Sequence, residues 1–221
     1  MFNRLVNSIL IKIKNSDSKD LIYVSGIAFI LRVLGMIFGY FLTLYIAFFY
    51  GAEVMGIFAL STAILLILSI IGRFGVDTAL LKFVSEYSFK NQFNLIKEAY
   101  LKSLFTSIPI SLILSVSLFF LSDWIAINIF NKEYLSFYFK VISLGVLPLV
   151  LLYINAECLR GLKKVKEYVF LQPNFIVQFL TLVILLICFF YISYSTLPVI
   201  SYVIALIIAF MLSSIYWLVF S

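Results

Sequence analysis

An arginine interrupts a long apolar run near the start of the chain, in the stretch SGIAFILRVLGMIFGYF, residues 25–41. Counted at 100° per residue, Arg32 shares one helix face with small residues that include Gly35 and Gly39. A guanidinium can offer two parallel hydrogen bonds to an anionic group such as a phosphate. A charge within an apolar span costs at least about 2.5 kcal/mol, so such residues usually line a pathway or meet a partner. Arg32 is therefore the first candidate for a substrate-binding residue.

The glycines on the Arg32 face form a second signal. Gly35 and Gly39 belong to the sequence GMIFG, a small-xxx-small pattern that lets the backbones of neighbouring membrane helices approach closely. We predict that both glycines pack against another helix. The face that carries Arg32 then points toward protein or water rather than toward lipid.

Polar side chains also recur on a later apolar helix. Asn174, Gln178 and Thr181 follow one another at i, i+4 and i+7, and therefore share one face. Such a face either lines a cavity or makes hydrogen bonds between helices. Asn174 and Gln178 join Arg32 as candidate substrate-binding residues.

Two carboxylates complete the set of candidates. Asp77 and Glu157 lie beside apolar spans, where a carboxylate either binds a coupling cation or forms a structural ion pair. Glu157 precedes Arg160 by three residues, a spacing that favours an ion pair. The structural alternatives to a role in binding are that Arg32 pairs with one of the two carboxylates or that it reaches the headgroups of the inner leaflet.

Missing residue types limit the chemistry of this chain. It has no histidine, so Ser-His-Asp triads, Cys-His pairs and histidine metal sites are excluded. Cys158 and Cys188 are far apart in the sequence, and neither a disulfide framework nor a metal site is expected from them. No phosphate-binding loop sequence is present. We predict no catalytic residue, metal or cofactor of these types, so a catalyst would need other groups.

These candidate residues must be positioned by membrane helices. The chain is 64% hydrophobic and 12% charged, its mean hydropathy is +1.17, and its apolar blocks are long enough to cross a bilayer. Runs such as LTLVILLICFF are apolar on every side, which favours helices over the alternating strands of a barrel. We predict an all-α membrane protein with a cytoplasmic amphipathic segment at 1–20 and a six-helix transmembrane lobe at 21–221. The predicted spans are about 21–49, 54–71, 103–121, 134–153, 173–190 and 197–220.

Basic residues orient the predicted bundle. Of the 16 lysines and arginines, 13 lie in the N-terminal segment, in the loop after the second span or in the loop after the fourth span. Because short cytoplasmic loops retain Lys and Arg, we expect a multi-pass protein with a cytoplasmic N-terminus. Aromatic residues such as Trp124 and Tyr191 collect near the opposite ends of the spans, as interfacial residues do.

Three segments carry a resemblance to a known family. GAEVMGIFAL, GRFGVDTALLKFVSE and LRGLKKVKEY resemble, in order and spacing, the polysaccharide-type flippases of the multidrug, oligosaccharidyl-lipid and polysaccharide exporter superfamily. The resemblance implies a transporter of the inner (plasma) membrane and not an enzyme. Such a protein moves polyprenyl-pyrophosphate-linked oligosaccharide from the inner to the outer leaflet by alternating access. Such transport serves the biosynthesis of O-antigen, capsule or exopolysaccharide. It also implies that Arg32 holds the pyrophosphate, the role attributed to cationic residues in the first lobe of that family.

Relatives in that family have a dozen or more spans in two similar lobes, whereas six are predicted here. We therefore expect a first lobe, truncated or split from its second, or a half-size protein that forms a homodimer. The expected partners are the lipid-linked oligosaccharide, membrane lipids and that second lobe or copy. No nucleic-acid partner is expected.

Two other function classes stay open on the sequence alone. A cation-coupled drug exporter of the same superfamily would take cationic substrates, which Arg32 disfavours. A membrane glycosyltransferase or repeat-unit polymerase would need a large outer loop that carries carboxylates or basic residues. The longest predicted outer loop, 122–133, is short and has two acidic residues.

Overall fold

Most of the residues that the structure describes are helical, and short turns or loops join the helices. The structure is a computed structural model. It describes residues 2–188 and 194–220, and it describes side chains at 26–188 and 194–217. Within these ranges the helices are α1 (Phe2–Phe49), α2 (Gly51–Arg73), α3 (Val76–Phe89), α4 (Phe93–Asn128), α5 (Leu135–Ser143), α6 (Val146–Gly161), α7 (Val165–Leu171), α8 (Pro173–Cys188) and α9 (Leu197–Phe220). The prediction of an all-α membrane protein is confirmed, because several of these helices are long and apolar enough to cross a bilayer.

Candidate membrane spans in the described ranges number four, or up to six if each of two bent helix pairs forms one span. The continuous candidates lie at Gly26–Phe49, Gly51–Arg73, Phe93–Asn128 and Leu197–Trp217. The bent pairs are α5 with α6, at 41°, and α7 with α8, at 46°. The first bend falls inside the predicted span 134–153, and the second falls at the start of the predicted span 173–190.

Helix boundaries differ from the predicted spans in several places: α4 ends at Asn128 and α6 at Gly161, beyond the predicted span ends at 121 and 153. α1 begins at Phe2, so the backbone of the predicted N-terminal segment continues without interruption into the first span. α3 lies where the sequence predicts a cytoplasmic loop, and α4 begins well before the predicted third span. The side chains of residues 1–25, the predicted span end at Phe190 and the aromatic residue Tyr191 lie outside the described residues.

Two residues in the left-handed conformation separate α2 from α3. Phe74 has φ 47° and Gly75 has φ 75°, a region that glycine occupies without strain. Across this turn, Arg73 Nη1 lies 2.8 Å from Asp77 Oδ2, and the Arg73 guanidinium lies 4.0 Å from the ring centroid of Tyr153. These contacts join the turn to α6, which carries Tyr153.

α6 is the central helix of the bundle. It contacts α2, α3, α4, α7 and α9, and its side chains Leu149, Leu152 and Leu159 are fully buried. A Cβ built at Gly161 would lie 2.7 Å from Val84 Cγ1 of α3, so only a glycine permits this approach. Lipid tails are as apolar as these side chains, so the hydrophobic effect does not drive helices together within a bilayer. Close packing of this kind stabilises the helix pair instead.

Candidate functional site

A cavity of about 530 Å³ lies between α1 and α8, beside the break that separates α7 from α8. Its wall contains the three predicted substrate-binding residues, Arg32 from α1 and Asn174 and Gln178 from α8. Gly35 and Gly39, the predicted packing residues, line the same cavity. The structure therefore brings together two sets of residues that lie far apart in the sequence.

The two glycines allow α1 to lie directly against α8 at this cavity. A Cβ built at Gly35 would lie 3.0 Å from the backbone oxygen of Asn174. A Cβ built at Gly39 would lie 2.7 Å from Gln178 Oε1. Any side chain at either position would displace α8 or one of the amides that line the cavity.

Arg32 is exposed at the cavity and forms no ion pair with a residue whose side chain the structure describes. Asp77 pairs with Arg73 at 2.8 Å, and Glu157 pairs with Arg160 at 3.3 Å. The alternative in which Arg32 pairs with one of these carboxylates does not occur among the described residues. An exposed guanidinium without a carboxylate partner keeps its donors for an anionic ligand.

Gln172 also lines the cavity, although it is not among the residues predicted from the sequence. It follows α7 with an extended backbone, φ −62° and ψ 137°, because Pro173 disfavours the helical region for the residue before it. Gln172 Nε2 donates a hydrogen bond of 2.6 Å to the Tyr168 hydroxyl, which donates to Glu157 Oε1 at 3.3 Å. The Gln-Pro dipeptide is the local signal for the break, but nothing in it indicates the contact with Tyr168.

Thr181 shares the predicted polar face with Asn174 and Gln178 but does not line this cavity. Its hydroxyl is buried and donates to the carbonyl oxygen of Val177 at 2.7 Å, within its own helix. Of the three residues on the predicted polar face, Asn174 and Gln178 line the cavity, whereas Thr181 bonds to the backbone of its own helix.

An apolar groove of about 490 Å³ follows the polar cavity along the same two helices. Residues of α1 and α8 line this groove: Phe38, Phe41, Leu44, Tyr45, Phe48, Phe49, Leu182 and Leu186. Between cavity and groove, the rings of Phe38 and Phe175 meet edge to face with centroids 5.8 Å apart. The α1–α8 seam thus presents a polar cavity and then an apolar groove.

The described residues of the site offer hydrogen bonds and one positive charge. Over the described ranges, no group of three or more His, Cys, Asp or Glu is placed to hold a metal ion. Cys158 is buried and Cys188 is half-buried. The cavity can therefore bind an anionic, hydrogen-bonding group through Arg32 and the neighbouring amides.

Comparison with known proteins identifies the family of the chain. The family model described as "Polysaccharide biosynthesis protein" matches residues 23–221, which include every residue of the cavity and groove. No curated protein and no solved structure matches the chain. The chain therefore belongs to the polysaccharide biosynthesis protein family, the family of the polysaccharide-type flippases.

Proposed function

We propose that this protein is a flippase that binds the pyrophosphate of a polyprenyl-pyrophosphate-linked oligosaccharide in the cavity between α1 and α8. Arg32 pairs with pyrophosphate oxygens, while Asn174 and Gln178 make hydrogen bonds to the same headgroup. Alternating access carries the headgroup from the inner to the outer leaflet for the biosynthesis of O-antigen, capsule or exopolysaccharide. This activity needs no covalent step, so the protein is not an enzyme.

The observation that carries the proposal is the position of Arg32. It lines a cavity of about 530 Å³ together with Asn174 and Gln178, and it has no carboxylate partner within the described residues. Hydrogen bonds to charged groups are worth about 1.5–3 kcal/mol each. Two such bonds to a pyrophosphate would offset the cost of keeping an arginine within the bundle.

The α1–α8 seam also fits an amphiphilic ligand. The polar cavity suits a charged headgroup, and the adjacent groove, lined almost entirely by aromatic and aliphatic side chains, suits a polyprenyl chain. A cationic drug would meet a positive charge at Arg32 in place of a carboxylate, which disfavours the exporter alternative.

Membrane placement belongs to the same proposal. We place the N-terminus in the cytoplasm, because basic residues concentrate on one side of the spans. We place the chain in the inner membrane, where the proposed lipid-linked substrate is flipped. The open side of the cavity, with Arg32 and Met36 exposed, faces a second six-helix lobe or a second copy of this chain. Asp77 and Glu157 bind no coupling cation in this proposal, since each already pairs with an arginine.

Arg32→Ala tests the proposal. We expect this variant to lose binding of polyprenyl pyrophosphate by the purified protein and to lose translocation of lipid-linked sugar in cells. Its abundance in the membrane should stay close to normal, because Arg32 supports no carboxylate among the described residues. Arg32→Lys should recover part of the activity, since it keeps the charge but loses the bidentate geometry.

Lys82→Ala is the matched control for charge. Lys82 is exposed on α3 and does not line the cavity, so its removal should leave binding and translocation unchanged. Normal translocation by a stable Arg32→Ala protein would contradict the proposed site. Reduced abundance of Arg32→Ala with normal activity per molecule would make Arg32 a structural residue.

A further inference from the structure

The hydrogen bonds that run from Glu157 to Gln172 have a fixed direction. A carboxylate only accepts hydrogen bonds, so the Tyr168 hydroxyl, 3.3 Å from Glu157 Oε1, must donate to it. The Tyr168 oxygen is then left to accept a hydrogen bond, and Gln172 Nε2 donates to it at 2.6 Å. The oxygen and nitrogen of an amide side chain are distinguished by their hydrogen-bond partners. Here the Glu157 carboxylate fixes the direction of both hydrogen bonds, so the atom of Gln172 that meets Tyr168 is the nitrogen.

This direction leaves Oε1 as a hydrogen-bond acceptor, unused among the described residues, on Gln172, a residue that lines the cavity. Gln172 lines the cavity together with Arg32, and its Oε1 accepts no hydrogen bond from the described part of the chain. Tyr168 is buried, and the Arg160 guanidinium lies 5.3 Å from the centroid of its ring. Packing therefore holds the hydroxyl that orients the Gln172 amide.

We infer that Gln172 is a specificity-determining residue whose Oε1 accepts a hydrogen bond from the first sugar of the lipid-linked substrate. Tyr168 and Glu157 are positioning residues that keep this oxygen available to the cavity. The inference rests on the proposed function, and it adds a requirement for a sugar donor beside the pyrophosphate.

The chemistry of the cavity divides between donors and an acceptor. Arg32 has donors only, which suit phosphate oxygens but cannot receive a sugar hydroxyl or acetamido N–H. No contact among the described residues fixes the amides of Asn174 and Gln178 by a hydrogen bond, so either end of each can face a ligand. Gln172 is thus the cavity amide whose orientation is set in advance. A glycosylated pyrophosphate satisfies both Arg32 and Gln172, whereas a bare pyrophosphate satisfies Arg32 alone.

The test compares the binding of two probes to the purified chain in lipid nanodiscs. One probe is a polyprenyl pyrophosphate, and the other is the same lipid carrying one N-acetylhexosamine. We expect the wild-type chain to prefer the glycosylated lipid by roughly 2- to 12-fold, the factor that one neutral hydrogen bond supplies. Gln172→Met and Tyr168→Phe should bring this ratio toward one, with the loss falling on the glycosylated lipid.

Tyr87→Phe is the matched control for removal of a tyrosine hydroxyl. Tyr87 lies on α3, stacks on Phe83 and does not line this cavity, so its variant should keep the wild-type ratio. Since phenylalanine preserves the ring of Tyr168, packing against Arg160 is retained in the test variant.

Glu157→Gln separates a positioning role from a merely structural one. A glutamine can donate to Tyr168, which allows the chain of hydrogen bonds to reverse and to present the Gln172 amino group to the cavity. We expect this variant to lose the preference for the sugar and to bind the bare lipid more tightly, because another donor then meets the pyrophosphate. A general loss of structure would weaken the binding of both lipids.

The outcomes distinguish this inference from the proposed function. If Gln172→Met and Tyr168→Phe keep the wild-type ratio, the role assigned to Gln172 is wrong. If the wild-type ratio is already one and Arg32→Ala weakens both probes, this inference fails while the proposed function stands. If the wild-type chain binds neither probe, both fail.

Discussion

Replacement of Gly35 by alanine tests the close approach of α1 and α8 that forms the cavity. The added Cβ would lie 3.0 Å from the carbonyl oxygen of Asn174 and 3.5 Å from the Cα of Phe175. Both are backbone atoms, which cannot rotate away as a side chain can. Relaxed carbon–oxygen contacts are about 3.3–3.6 Å, so the helices must separate by a few tenths of an ångström. Overpacking of this kind costs about 1–3 kcal/mol.

Gly26→Ala on the same helix is the matched control for Gly35→Ala. A Cβ built at Gly26 meets no neighbouring atom within 4 Å. Both substitutions gain the same helix propensity, up to about 1 kcal/mol, so the difference between their unfolding free energies isolates the contact with α8. We expect Gly35→Ala to be less stable than Gly26→Ala by about 1–3 kcal/mol. The melting temperature falls by about 2–4 °C per kcal/mol for a chain of this size.

Thermal unfolding of the purified protein in detergent, with abundance in the membrane as a second readout, measures this difference. Gly39→Ala separates packing from ligand binding, because its Cβ would meet Gln178 Oε1, the end of a side chain that can rotate. We expect Gly39→Ala to unfold close to wild type and to bind polyprenyl pyrophosphate more weakly. Equal melting temperatures for Gly35→Ala and Gly26→Ala would refute the close α1–α8 approach.

The remaining predictions concern other parts of the bundle. Gly161→Ala should lower the melting temperature further than the substitutions on α1, because the new Cβ meets a stiff, β-branched valine of α3 at 2.7 Å. Asp77→Asn should reduce abundance in the membrane by weakening the pair with Arg73, and the Arg73→Met/Asp77→Asn double variant should recover part of it. A further loss in the double variant would contradict this pairing argument. In intact cells, an impermeant thiol reagent should label Asn128→Cys but not Lys90→Cys, each made in a chain without its native cysteines; the reverse pattern would overturn the proposed orientation.

Helical periodicity predicts which residues share a face, but not which faces meet. Arg32, Gly35 and Gly39 follow from the 3.6-residue repeat on one helix, and Asn174 and Gln178 follow from it on another. Their meeting in one cavity depends on the packing of α1 against α8, which joins distant parts of the chain. No local pattern contains that pairing, so the cavity could not be predicted from either face alone.

The sequence predicts neither the helix bends nor α3, and the physical reasons differ. The bend between α5 and α6 lies beside Gly145 in mostly apolar sequence, so hydropathy changes little there. α3 has 14 residues and carries several charges, which makes it too short and too polar to be recognised as a span. Gln172 precedes a proline, a common sign of a break, but its orientation depends on Tyr168 and Glu157.

The break at Gln172 divides the polar residues of the cavity wall between two helices, α7 and α8. The Gln172 amide is held by Tyr168 of α7, whereas Asn174 and Gln178 belong to α8, which begins at Pro173. The 46° angle between α7 and α8 therefore sets the spacing between these two groups of polar atoms. A ligand that contacts both groups binds with an affinity that depends on this angle, and by reciprocity its binding biases the angle. Ligand binding in the cavity and the angle between α7 and α8 are thus coupled, and a change in either one shifts the other.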